Sequence, residues 1–195
     1  RSDTTVPSDA GVAYLVNASN VTVAGTTRGS VAAVFSRDVT IRDGVVSNAT
    51  SGVYLSHSND TTISNRTARD NQYGLFLEMS NATNVRDSTL THNGEGLRAI
   101  GDYENEPVGL DVRRTVVSNS KDPNLLVRYV RGVVVVDNTI SDGKSEGISV
   151  ASSPNLTIEA NRLEGNLDDA ILVTSTDTAT NVPARRCCSA ASRSR

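Results

Sequence analysis

Residues 52–73 read GVYLSHSNDTTISNRTARDNQY, and residues 74–95 read GLFLEMSNATNVRDSTLTHNGE. Set one above the other, the two lines share a pattern. Val53 and Leu55 fall over Leu75 and Leu77, Thr61 and Ile63 over Thr83 and Val85, and Ala68 over Leu90. Paired positions two apart lie on one face of an extended strand. No segment keeps a 3.6-residue period long enough for a helix. Each 22-residue line therefore holds three short strands separated by polar corners.

The pattern extends in both directions. The first apolar column runs from Ala13/Leu15 through Ala33/Phe35 to Leu97/Ala99, Leu125/Val127, Ile148/Val150 and Ile171/Val173. The second runs from Val21/Val23 to Leu156/Ile158, and the third from Val46 to Leu163. A coil of three short strands cannot close a core alone. Coils stacked in register can, because each strand pairs with its counterpart about 4.8 Å away in the next coil. The chain is read as all-β, a parallel β-helix of about eight coils. Gly52, Gly74, Gly96 and Gly147 open the first strand of their coils, where a positive φ is expected. Asn138 and Asn161 share a corner position, as do Asn71, Asn93 and Asn166, so stacked asparagine ladders are expected.

The unit G-[ILV]-x-[LV]-x-x-S-x-N-x-T-[IV]-x-x-N-x-[IL]-x-x-N, with its cleanest copy at 155–166 (NLTIEANRLEGN), resembles the right-handed parallel β-helix repeat of the NosD-like and pectate-lyase-like superfamily. The resemblance covers about residues 11–175. It divides the chain into a lead-in (1–10), the β-helix (11–176) and a tail (177–195) expected to be disordered or non-native. Such a repeat specifies a fold and leaves function open. The resemblance implies one of three roles: a non-catalytic exported module that binds carbohydrate or a protein partner, a polysaccharide lyase or glycoside hydrolase, or a copper-handling accessory as in NosD. The first is preferred, with the chain at the cell surface, outside the cell or in the periplasm.

Composition narrows the classes further. Hydrophobic residues make up 37%, aromatic residues 4%, and Trp is absent, so the core must be aliphatic. No run approaches the length of a membrane span, and no apolar stretch in the first residues reads as a signal peptide. Net charge is −3; without the four arginines of residues 185–195, 15 basic and 22 acidic residues remain, a balance of −7 that argues against nucleic acid as partner. Basic residues are 17 Arg and only 2 Lys, Lys121 and Lys144. Both cysteines, Cys187 and Cys188, lie in the tail, so the body has no disulfide framework. With no capping helix before Gly11 or after Thr176, the end strands would present open edges, and end-to-end or flanking-domain association is expected.

Function must sit on side chains that point out of the rod. The outer position of the first strand reads Tyr14, Val34, Tyr54, Phe76, Arg98, Leu126, Ser149 and Leu172. Tyr54, Phe76 and Arg98 would stack on successive coils. Rings with a guanidinium suit a surface glycan or other polysaccharide, since flat sugar faces lie on aromatics and Arg binds carboxylates bidentately; an ordinary aromatic ladder stiffening the sheet is the plainer account. Glu78 and Arg128 fall nearby, and lyase-type relatives imply a base and a carboxylate cluster on one face. The insertion at 100–109 carries Tyr103 and three acids, Asp102, Glu104 and Glu106, that could hold a Ca²⁺, though with no EF-hand pattern a solvated acidic loop is the plainer account. Arg42, Arg86 and Arg113 on the second strand alternate with Asp43 and Asp87, which reads as surface neutralisation. His57 and Met79 share a position in consecutive coils; imidazole and thioether suit Cu(I), but two soft ligands make a poor site, and tight copper binding is not expected.

Overall fold

The computed structural model describes residues 4–6, 11–25 and 29–174, and every regular element in it is a strand. One sheet contains β2 (Ala13–Val16), β4 (Val31–Val34), β7 (Ser51–Ser56), β10 (Tyr73–Glu78), β13 (Glu95–Ile100), β16 (Leu125–Arg128), β19 (Ile148–Ala151) and β22 (Ile171–Thr174), in that order. A second contains β1 (Thr4–Val6), β3 (Ser19–Ala24), β5 (Arg37–Arg42), β8 (Asn59–Ser64), β11 (Asn81–Arg86), β14 (Val108–Arg113), β17 (Arg131–Val136) and β20 (Thr157–Glu159). The third contains β6 (Val45–Ser47), β9 (Thr67–Arg69), β12 (Thr89–Thr91), β15 (Val116–Ser118), β18 (Thr139–Ser141) and β21 (Arg162–Glu164). All pairings are parallel, and each strand pairs with its counterparts in the coils before and after it. This is a right-handed parallel β-helix of about seven turns. The expected eighth coil is represented among the described residues by β22 alone.

The three apolar columns form one core along the rod, with Leu55, Leu75, Ile63, Ala68 and Leu90 all fully buried. One expected member is misplaced. Leu15 pairs with Ala33, and Ala33 with Leu55, so the inward pair of the second coil is Val31/Ala33 and the outward residue between them is Ala32, not Val34. Phe35 is 59% exposed. Its φ of +50° places it in a left-handed turn that ends the strand and breaks the alternation. The same turn position is occupied by Asn17, His57, Met79, Tyr129 and Ser152, all with φ between 48° and 54°. A left-handed residue with a side chain costs about 1–2 kcal/mol. Here each turn N–H is anchored on the next coil, His57 N to Glu78 O at 3.0 Å and Met79 N to Ile100 O at 2.9 Å.

The strand-opening glycines also depart from expectation. None of Gly52, Gly74, Gly96 and Gly147 has a positive φ. They are small because coils meet there: a Cβ on Gly74 would lie 2.3 Å from Gly96 O, and one on Gly96 would lie 2.2 Å from Val117 Cγ1.

Buried polar ladders close the corners, because backbone groups that turn inward must still be paired. Ser36 N bonds Ser58 Oγ at 3.2 Å, and Ser58 N bonds Ser80 Oγ at 3.1 Å. The asparagine ladders appear where expected, with Asn138 N donating to Asn161 Oδ1 at 2.9 Å and Asn71 N to Asn93 Oδ1 at 3.0 Å. Asn166 joins through Asn124, whose Nδ2 donates to its Oδ1 at 2.8 Å. The tail at 177–195 lies outside the described residues.

Candidate functional site

The outer face of the first sheet brings aromatic and charged side chains of successive coils together. Register places Tyr54, Phe76 and Arg98 side by side on β7, β10 and β13. The Tyr54 and Phe76 rings are 5.3 Å apart, and Tyr73 reaches Phe76 at 5.0 Å. The Arg98 guanidinium lies 5.7 Å from both the Tyr73 and Phe76 ring centres. Glu78 accepts from the Tyr54 hydroxyl at 2.5 Å. Burial, followed by this hydrogen bond, raises the Tyr54 phenol above its ordinary value.

Two members of this platform were not foreseen. Tyr73 and Glu95 occupy the position just before the coil glycine, in register with Ser51. Arg98 donates to Glu95 Oε1 at 2.8 Å. Glu95 is 9% exposed, and its Oε2 and the Arg98 Nε are buried with no hydrogen-bond partner. Burial raises the Glu95 carboxyl above its usual range, an effect that Arg98 and Arg128 oppose and Asp122 reinforces. Of the expected residues, Arg128 thus contributes through its field; it is exposed and pairs in register with Ile100.

The insertion forms the loop after β13. Asp102 Oδ1 accepts from the backbone N–H groups of Glu104 at 2.9 Å and Asn105 at 2.6 Å, Glu106 pairs with Arg131 at 3.2 Å, and Tyr103 is 85% exposed. Each carboxylate of the pair Asp102 and Glu106 thus has a partner within the protein. On the second sheet, Arg42 pairs with Asp43 and Arg113 with Asp111, and Arg114, in the turn after β14, pairs with Asp87, which is local neutralisation.

His57 and Met79 do occupy equivalent turns. His57 Nδ1 is 3.0 Å from Ser56 Oγ and its ring packs 5.0 Å from Phe35. Two soft donors alone do not close a copper site. Among the described residues, no three His, Cys, Asp or Glu side chains cluster as a metal set.

A groove of about 710 Å³ opens over the third corner, between the third and first sheets. Asp70 and Gln72 line it from one coil, His92 and Gly94 from the next, then Asn119 and Lys121, then Asp142 and Lys144. It lies where the corner lengthens: Leu90 to Leu97 is seven residues, Val117 to Leu125 and Ile140 to Ile148 eight. That extra residue was visible in the line lengths, but nothing in them showed a concavity.

Stacked parallel sheets, buried polar ladders and outward rings define the class, a parallel β-helix that displays side chains on a rigid face. A family model described as "Periplasmic copper-binding protein (NosD)" matches residues 13–182, and the chain belongs to that family. The family's description agrees with a periplasmic or extracellular location. No curated protein sequence matches the chain. Among solved structures, the A-module of the Azotobacter vinelandii mannuronan C-5 epimerase AlgE6 is similar at 15% identity, covering 84% of this chain and 71% of that one, with a TM-score of 0.38.

Proposed function

We propose that the chain is a non-catalytic β-helix module that binds carbohydrate on the outer face of its first sheet. The observation that carries this reading is the Tyr54–Phe76–Tyr73 ring cluster with Arg98 over two of its rings and Glu78 and Glu95 beside it. Aromatic faces take the apolar faces of sugars, and the flanking carboxylates and guanidinium meet hydroxyl and acidic groups. A glycan array followed by calorimetric titration of the best binder tests the reading. Phe76→Ala should weaken binding by about tenfold, the loss of one stacked ring at about 1.4 kcal/mol. Binding unchanged in Phe76→Ala would overturn it. Turnover of an acidic polysaccharide, abolished in Arg98→Ala, would replace it with a lyase or hydrolase.

Copper handling is a second reading, favoured by the family description and by the matched turns of His57 and Met79. The donor set does not fit a closed site, so no tight binding is expected. Submicromolar Cu(I) affinity against a competing chelator, lost in His57→Ala or Met79→Leu, would put metal handling first.

A further inference from the structure

Both lysines of the sequence fall in the third-corner groove. They sit at equivalent places on consecutive coils. Lys121 N donates to Asn93 O at 3.1 Å, and Lys144 N donates to Ser120 O at 2.9 Å, each reaching back one coil. Elsewhere seven arginines are held in ion pairs, and neither lysine is in an ion pair among the described residues. Of the groove's two aspartates, Asp70 is engaged by Arg69 at 2.8 Å. The two exposed ammonium groups stand one coil apart with Asp142 in the same groove, and none of the three is held in an ion pair among the described residues. Unpaired, both ammonium groups are available to attract an anion that enters the groove.

The groove is continuous with the ring platform. Gln72 lines the groove and donates through Nε2 to the Tyr73 hydroxyl at 3.2 Å. Gly94 lines it too, and the next residue is Glu95, which holds Arg98. Gln72 and Asn119 add planar donors and acceptors of the kind that meet sugar hydroxyls, and the Asp142 carboxylate can accept from hydroxyls on the uncharged edge of a sugar.

We propose that platform and groove are two subsites of one extended site: an oligosaccharide stacks one unit on Tyr54, Tyr73 and Phe76 and crosses the third corner, where Lys121 and Lys144 bind the carboxylate or sulfate of a neighbouring acidic sugar. This rests on the carbohydrate-binding reading above and adds the ligand's charge and its length. The test is calorimetric titration of the full chain with hexagalacturonate, its methyl ester and a sulfated galactan hexasaccharide. Lys121→Ala/Lys144→Ala should weaken an anionic hexamer at least tenfold, about the value of one charge-assisted contact, and leave the methyl ester unchanged. Phe76→Ala should weaken charged and neutral forms alike. Tighter binding of the galacturonate assigns a carboxylate ligand, and of the galactan a sulfate. If the lysine variant binds every hexamer like the wild type while Phe76→Ala does not, the groove inference falls and the platform stands. If only the lysine variant loses binding, the platform reading falls and the joint site with it. No binding of either anionic hexamer also overturns the proposal.

Discussion

Replacing Asn93 by Ala tests whether the buried ladders, rather than the apolar columns alone, hold the rod together. Asn93 is fully buried. Its Oδ1 accepts from Asn71 N at 3.0 Å and from Asn71 Nδ2 at 3.2 Å, and its Nδ2 donates to Ala68 O at 3.0 Å. The variant strands the Asn71 N–H in the interior, while Ala68 C=O keeps its place in the parallel ladder and Asn71 Nδ2 keeps only a long contact to Val46 O at 3.5 Å. A stranded group costs about 1–3 kcal/mol, so the loss is about 2 kcal/mol. For a chain of this size 1 kcal/mol shifts Tm by about 2–4 °C, which predicts a fall of about 4–8 °C. The control is Asn81→Ala. Asn81 also bridges coils, donating to Asn59 Oδ1 at 2.8 Å and accepting from Val108 N at 2.7 Å, but in solvent. Its partners can turn to water, and the cost should stay below about 1 kcal/mol. Circular dichroism melts at one scan rate compare the two. If Asn93→Ala melts no lower than Asn81→Ala, the ladders are ornaments on a core that would stack without them.

Two further outcomes follow from the outward and inward faces. Leu77→Asp places a charge in the buried stack and should abolish folding, whereas Phe76→Asp, one residue away and facing out, should fold with a Tm lowered by only a few degrees, about the worth of its ring contacts; equal melting of the two would show the register to be wrong by one. Because burial raises the Glu95 carboxyl above its ordinary 4.5, the folded state holds that proton more tightly than the unfolded state. The stability tied to Glu95 is therefore whole below that value and is lost as pH rises through the elevated one. Glu95→Gln should gain in Tm relative to wild type as pH rises from 4.5 to neutrality, and a difference between the two proteins that stays constant over that range would remove the case for a displaced titration.

The fold was readable because three columns of side chains must all face one core, and a column repeated seven times averages out local exceptions. Leu55, Leu77 and Ala99 keep a 22-residue step, and the structure pairs them as that step requires. The exception is the second coil, where an even 20-residue step from Leu15 to Leu55 places Phe35 in the core. The true steps are 18 and 22, and Ala33 fills the place. Hydrophobicity favoured the larger residue, but a small one suffices when Val31 shares the coil. The platform's rings were legible from strand parity. Tyr73 and Glu95 were not, because they open β10 and β13 with the parity of Leu75 and Leu97, so alternation alone assigns them to the core. The groove was hidden for a different reason, since one added residue changes a line length without revealing which way the corner swells.

Division of labour in this rod follows direction more than sequence position. Inward residues of the strands and the small polar residues after many of the left-handed turns hold a coil to its neighbours, so their identities answer to packing and to hydrogen-bond satisfaction. Two sets of positions escape that demand. One is the outer residue of each strand, which gives Tyr54, Phe76 and Arg98. The other is the left-handed residue itself, whose backbone is fixed by its bond to the next coil while its side chain leaves the rod. Asn and Asp fill many of these turns because they tolerate the conformation. Where Phe35, His57, Met79 and Tyr129 stand instead, the backbone preference of the site has been overridden. Replacing Met79 by Asn should therefore leave stability equal or higher, because it restores the residue type that the turn prefers. A loss of more than about 2 °C in Tm would mean that the thioether packs against something that holds the coil, and that these turns are not free to carry function.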